Sequence, residues 1–300
     1  MIKSYDDLVQ TLQTKSGKKR VVVAAAADAH TLEGINSATN QGVVNATLVG
    51  DKKKILELIA AEDLKLSDAE IMDEPDNVEA AKKSVELIRR GKGDFLMKGK
   101  LQTAELLREV VNKEHGLQTG NVMSHVGLFQ FPAYHKLLVI TDGGMLPTPD
   151  VDQKKQIIEN AVSVLQKLGN ETPKVAVMCA GEVENPKIQA SVDAAQLKRW
   201  NQEGVIKGCY VEGPISFDLM FDKGSAEIKG YESPVTGDTD ICLMPDMTAG
   251  NLMSKAITYT AGAKMAGIIV GATVPIVLVS RGATSEEKYL SLALAAAVSE

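Results

Sequence analysis

The chain has 300 residues, 44% of them hydrophobic, 24% charged and only 4% aromatic, with a formal net charge of −6. This apolar content excludes disorder, the length suits two ordinary domains better than one, and aliphatic bulk favours helices packed on a Val/Ile-rich sheet over an aromatic-rich sandwich. The negative balance argues against a nucleic-acid surface, which needs clustered Lys and Arg. Cys179, Cys209 and Cys242 lie far apart with no CxxC pair, so neither a disulfide framework nor a zinc site is expected and a reducing cytoplasm fits. The first residues lack the apolar stretch of a signal peptide. The weakly polar run 265–279 is too short to span a bilayer and is broken by Gly267, Gly271 and Pro275. Neither export nor membrane insertion is expected.

In chain order, short β-branched runs alternate with longer amphipathic stretches, the signature of βα units and a mainly parallel sheet. Residues 20–27 predict a buried strand, with Asp28 or Thr31 capping a helix that runs to Gly42. A strand over 47–50 leads into a helix from Asp51, and 79–90 predicts a helix stopped by Gly91. A strand over 94–97 runs into the basic turn Lys98-Gly99-Lys100 and a helix over 103–113. Strands over 122–129 and 136–141 precede a connection rich in turn formers (Gly143, Gly144, Pro147, Pro149), where the pattern sets a domain boundary. Beyond it come a helix over 150–169, a strand over 175–178 and a helix over 187–202. A strand over 240–244 ends on Pro245-Asp246, a helix covers 250–266, and a last strand over 275–279 meets Ser280-Arg281-Gly282 before a final helix from Ser285.

No GxSxG elbow occurs, and 93–101 only imitates a Walker A box: its spacer is one residue too long, and Leu101 replaces the metal-binding hydroxyl. His30, His115, His125 and His135 lack HxxxH spacing, so no metal site is expected. What remains are basic, hydroxyl and acidic residues at strand ends and helix starts, where ligands of open α/β sheets collect and helix N-termini face anions. At Ser280-Arg281 a buried strand stops at a hydroxyl and a guanidinium whose planar fork matches phosphate. The plainer alternative pairs Arg281 with a helical carboxylate and makes Ser280 a cap. Asp246, Asn251 and Lys255 share one strand-to-helix edge, which a capped helix start explains equally well. Thr103 as N-cap sets Arg108 one to two turns into its helix, where with Lys98 it is either an anion clamp or a solvated basic face.

Taken together, several motifs resemble, in order and spacing over the whole chain, the phosphate acetyl/butyryltransferase family. They are Met97-Lys98-Gly99 with Thr103 and Arg108, Ser124-His125-Val126, Thr141-Asp142-Gly143, the Gly-Pro-Ile-Ser-Phe-Asp run 213–218, Pro245-Asp246 with Gly250-Asn251 and Lys255, and Ser280-Arg281. The Met97-Lys98-Gly99 turn, Glu114-His115-Gly116 and the ending from Glu287 look like butyryl-type members, whereas Gly282 is what acetyl-type members show. The resemblance implies an α/β, two-domain isocitrate/isopropylmalate dehydrogenase-like fold with mainly parallel sheets and an interdomain cleft. Domain I would comprise 1–148 and 271–300, and domain II 149–270.

The implied reaction is reversible transfer of a short acyl group, butyryl preferred, between coenzyme A and inorganic phosphate, through a ternary complex without an acyl-enzyme. A phosphate acetyltransferase and a non-catalytic acyl-CoA sensor are the alternatives. A pyridine-nucleotide dehydrogenase of the same fold would want a GxGxxG turn and an aspartate cluster that the sequence lacks. Coenzyme A is then a substrate, with no cofactor. The partners are acyl-CoA or CoA and phosphate or acyl phosphate, within a homodimer or higher homo-oligomer. By the same resemblance Arg281 holds phosphate, Ser280 donates to the tetrahedral oxygen, and Glu287 is the base with Glu286 its rival. Arg108 contacts CoA phosphates, Lys98 and Thr103 extend that clamp, and Asp246, Asn251 and Lys255 bind substrate. A thiol of pKa about 8.5 is only a few per cent thiolate at neutral pH, so the direction consuming CoA needs a base or a positive field.

Overall fold

A computed structural model describes residues 1–280 and 282–299. The elements begin with α1 (Tyr5–Thr14), β1 (Lys19–Ala24), α2 (Ala29–Asn40), β2 (Val44–Gly50), α3 (Lys52–Ala61), β3 (Glu70–Asp73), α4 (Asn77–Arg89), β4 (Phe95–Lys98) and α5 (Thr103–Val110). They continue with β5 (Ser124–Gln130), β6 (Leu138–Thr141), α6 (Val151–Lys167), β7 (Lys174–Met178), α7 (Gln189–Gln202), β8 (Tyr210–Ile215), α8 (Phe217–Phe221) and α9 (Lys223–Lys229). The last are β9 (Ile241–Leu243), α10 (Met247–Thr260), β10 (Lys264–Val270), β11 (Ile276–Val277) and α11 (Ser285–Val298). No helix among the described residues is long and apolar enough to cross a membrane.

Contacts divide the chain into a flanking unit, Tyr5–Asn121 with Ala266–Glu300, and a central unit, Met1–Ser4 with Val122–Met265. In the flanking unit β1 pairs in parallel with β2 and β4, β3 extends β2, and β11 runs parallel to β4 and antiparallel to β10. Val21, Val22, Val23 and Ala24 are all fully buried, as a parallel strand covered on both faces requires. Asp28 caps α2 by accepting from Thr31 N at 2.9 Å. Helix α11 is apolar nearly all round: Leu290, Leu292, Ala293, Leu294, Ala295 and Ala296 are buried, so this helix sits inside the unit rather than on it. Ser291 stitches it to β10, accepting from Gly267 N at 2.9 Å.

In the central unit β5 is antiparallel to β6, while β6, β9, β7 and β8 are parallel in that order. Phe129, Leu138, Ile140, Ala176, Ile215 and Cys242 lie in its core. Helices α6 and α7 are tied by a buried ion pair, Lys154 Nζ to Asp193 Oδ2 at 2.6 Å.

The contact boundaries differ from those read off the sequence. The first falls at 121/122 rather than 148/149, because β6 pairs with β9, Val139 opposite Ile241 and Thr141 opposite Leu243, and this pairing holds 122–148 to the later strands. The second falls at 265/266 instead of 270/271. The helix expected over 250–266 stops at Thr260; Gly262, with φ of 64°, takes a left-handed conformation that other residues resist, and the chain turns into β10.

Candidate active site

The carboxyl ends of β1, β4 and β11 meet in the flanking unit around a cavity of about 470 Å³, lined among others by Asp28, Thr31, Lys98, Gly99, Ser280 and Lys288. Gly99 lets the turn after β4 lie against the end of β1: Gly99 N donates to Ala24 O and Lys100 N to Ala25 O, both at 2.8 Å. Lys98 is buried, and its ammonium donates to Gly99 O at 3.2 Å and Leu101 O at 3.1 Å, so a positive charge both shapes and lines this wall. Asp28 accepts from Thr31 N and, at 2.6 Å, from Thr31 Oγ1. Burial works against its charge, but the Thr31 hydroxyl and the nearby Lys288 ammonium outweigh burial, and the carboxyl titrates below its usual range.

The structure brings Lys98 and Ser280 to one cavity and places the other expected residues differently. Arg281, the expected phosphate holder, lies outside the described residues. Thr103 and Arg108 are exposed on α5 and do not line the cavity. Thr103 is the first helical residue rather than the cap; Gln102 caps α5, its N–H donating to Glu105 Oε2 at 2.9 Å. Glu287 is half-buried in the first turn of α11, with its N–H on Thr284 Oγ1 at 3.1 Å. It and Glu286 stand on the side of Tyr5, whose phenol is pushed well up, first by burial and further by these two carboxylates. Neither lines the cavity.

The remaining expected residues belong to the central unit. Asp246 caps α10, accepting from Ala249 N at 2.9 Å. Asn251 is exposed and reaches Gly143 O at 3.4 Å, and Lys255 is exposed one turn further on. Gly143 and Gly250 pass so closely that a Cβ on Gly250 would come within 2.6 Å of Asp142 O. Beside them the Asp142 carboxylate accepts from Gly144, Met145 and Leu146 N–H groups at 2.7, 2.9 and 3.2 Å. Burial holds the His125 imidazole below its usual pKa against the opposing charge of Asp142.

Sequence reasoning saw Asp28 and Thr31 only as caps and passed over Lys288. Its position one turn into α11, unfavourable to the helix dipole by only a few tenths of a kcal/mol at an exposed site, carries no local signal of burial. Among the described residues no group of three or more His, Cys, Asp and Glu side chains could hold a metal ion.

Ser216, at the end of β8, is enclosed by charge. Its hydroxyl is shared between Glu182 Oε1 and Asp218 Oδ1, the latter at 2.6 Å, and Lys229 Nζ reaches Glu182 Oε1 at 2.8 Å and Asp218 Oδ2 at 2.9 Å. Hydrogen bonds from Ser216 and then Lys229 pull Asp218 down to about 2, Lys229 and then Ser216 hold Glu182 low, and the two carboxylates raise Lys229. A lysine kept charged is no base, so this serine is fastened rather than activated. Depressed carboxylates stabilise the fold above their ordinary pKa near 4 and lose that contribution as the pH falls through the folded values. Lys229→Met is therefore expected to lower the urea midpoint near pH 7 and to match the parent near pH 2. A deficit that persisted unchanged at the acid end would deny the cluster its electrostatic role.

The sequence pattern of phosphate acetyl/butaryl transferase matches residues 6–86 and 74–296. A phosphate butyryltransferase of Clostridium acetobutylicum is 43% identical over 298 residues, covering 99% of both chains. A phosphate acetyltransferase of Thermotoga maritima is 40% identical over 96% of this chain and 98% of its own. The crystal structure of a branched-chain phosphotransacylase from Enterococcus faecalis superposes with a TM-score of 0.84 at 30% identity, covering 93% of this chain and 98% of the other. A 4-hydroxythreonine-4-phosphate dehydrogenase-like structure from Salmonella typhimurium, at 14% identity and a TM-score of 0.58, shares the fold. The chain belongs to the phosphate acetyl/butyryl transferase family.

Proposed function

We propose that this acyltransferase moves a short acyl group, butyryl preferred, reversibly between coenzyme A and inorganic phosphate within a ternary complex. The observation that carries the proposal is that Ser280 and the buried Lys98 line one cavity at the carboxyl ends of parallel strands. A phosphate oxygen attacks the thioester carbonyl carbon, the C–O bond forms as the C–S bond breaks, and the thiolate leaves to be protonated as CoA. Charge builds on the carbonyl oxygen during attack, and fixed donors beside an anion-holding cation are the groups that stabilise it. In this reading Ser280 donates to that oxygen, Arg281 holds the phosphate, and Glu287 exchanges the thiol proton. Arg108 with Lys98 and Thr103 takes CoA phosphates, and Asp246, Asn251 and Lys255 contact substrate. Coenzyme A serves as substrate without a further cofactor, the enzyme works in the cytoplasm, and its assembly is a homodimer or larger.

Phosphate-dependent thiol release from butyryl-CoA, run beside acetyl-CoA, tests the proposal. Faster release from butyryl-CoA is expected. Faster release from acetyl-CoA would make the chain a phosphate acetyltransferase, and CoA binding with no release from either would make it a sensor. Arg108→Ala is expected to raise KM for CoA about ten-fold with kcat held within about three-fold, the pattern of a group binding ground state and transition state alike. An effect confined to phosphate saturation would reverse that assignment.

A further inference from the structure

Lys288 is 5% exposed, one turn into α11 and set against the helix dipole. Helix α2 fixes the root of its side chain: a Cβ on Gly34 would come within 2.9 Å of Lys288 Cβ. A buried ammonium needs strong partners. Its protein contacts are long, 3.4 Å to Asp28 Oδ2 and 3.5 Å to Thr31 Oγ1, against about 2.8 Å for a good charge-assisted hydrogen bond. Asp28 spends its shortest bonds on Thr31 instead, at 2.6 and 2.9 Å. Lys288 thus lines the cavity with its charge met only by long contacts among the described residues.

The charged groups around that cavity favour an anion. Lys98, Lys100 and Lys288 face Asp28 and Glu105, and Glu105 is already turned onto Gln102 N at 2.9 Å. Ser280 lines the same cavity. Two buried lysines and a serine lining one cavity of about 470 Å³ suit a compact group with several acceptor oxygens and more than one negative charge. We propose that Lys288 is a substrate-contacting cation that binds a phosphoryl group in this cavity, an inference that rests on the acyl-transfer reading above. Inorganic phosphate and the phosphates of CoA share this chemistry, and separate titrations tell them apart.

The test is titration calorimetry of the full chain with inorganic phosphate and, separately, with CoA. Lys288→Gln is expected to weaken phosphate at least ~10-fold at low ionic strength, to raise KM for phosphate in parallel and to leave CoA within about three-fold, while Lys288→Arg recovers part of the loss. Asp28→Asn/Lys288→Gln removes the orphaned carboxylate that could unfold the single variant, and is expected to show the same loss. Weakened CoA with unchanged phosphate would keep Lys288 as the cation and name CoA as the source. Undiminished affinity for both ligands in the folded double variant overturns the inference. Phosphate binding that depends on Lys288 in a protein without acyl transfer would sink the acyl-transfer reading alone.

Discussion

Gly99→Ala is expected to lower kcat/KM for acyl transfer by at least ~10²-fold, because the turn it occupies has no room for a methyl and a shift of about 1 Å at a reacting site is enough for such a loss. The added Cβ would stand 2.3 Å from Ala25 O and 2.7 Å from Ala24 O, and both obstacles are backbone in a buried strand end. The turn must lift, and lifting opens the Gly99 and Lys100 N–H bonds to those carbonyls. The two bonds together contribute about 1–3 kcal/mol. Lys98 moves with the turn, since its ammonium is anchored on Gly99 O and Leu101 O. The variant is thus expected to lose catalytic efficiency and stability together, read by steady-state kinetics and urea unfolding. Activity within about three-fold of the parent would detach this cavity from the reaction.

Lys154→Met should cost the central unit about 3–5 kcal/mol, the usual consequence of leaving a buried carboxylate without its cation. Lys154 and Asp193 are 4% and 6% exposed and 2.6 Å apart, and Gln189 Nε2 donates to the other Asp193 oxygen at 2.7 Å. Once the lysine is gone, the Gln189 amide is left among the described residues to serve a largely buried charge. Lys154→Met/Asp193→Leu is expected to regain most of the loss, because an apolar pair of similar volume replaces the ion pair without desolvating either charge. Chemical denaturation of both variants checks this. Equal stability of the single and double variants would show that packing rather than charge decides.

The parallel grammar was legible where strands are buried on both faces. The Val21–Val23 run could be read directly; the strand expected over 94–97 stops one residue short of the end of β4 at Lys98, and Lys98 and Ser280 were each legible as residues at a strand end. Shorter or less patterned strands were not legible. β3 has only four residues and no buried position, and β8 carries Gly213-Pro214 just before its last residue, Ile215, which reads as a break rather than a strand. β10 is small and apolar without a distinctive period; the helix expected over 250–266 takes in only its first three residues, and the rest was not legible as a strand. In the site, Lys288 escaped because a lysine one turn into a helix has the local pattern of a surface residue. Packing of α2 across its stem, more than two hundred positions away in sequence, contributes to its burial. Thr103 misled for the opposite reason: it has the chemistry of a cap, but Gln102 and Glu105 already provide one.

The interior helix α11 also sets an order of events during synthesis. The flanking unit is assembled from both ends of the chain, and its last component is the apolar helix its sheet closes on. As the protein leaves the ribosome, residues 5–121 emerge with β1 and β4 made but their missing neighbours still untranslated. The central unit, nearly continuous in sequence, is complete well before them. A chain cut short ahead of Ser285 would carry a finished central unit beside an open apolar sheet, the kind of surface that chaperones hold and proteases clear.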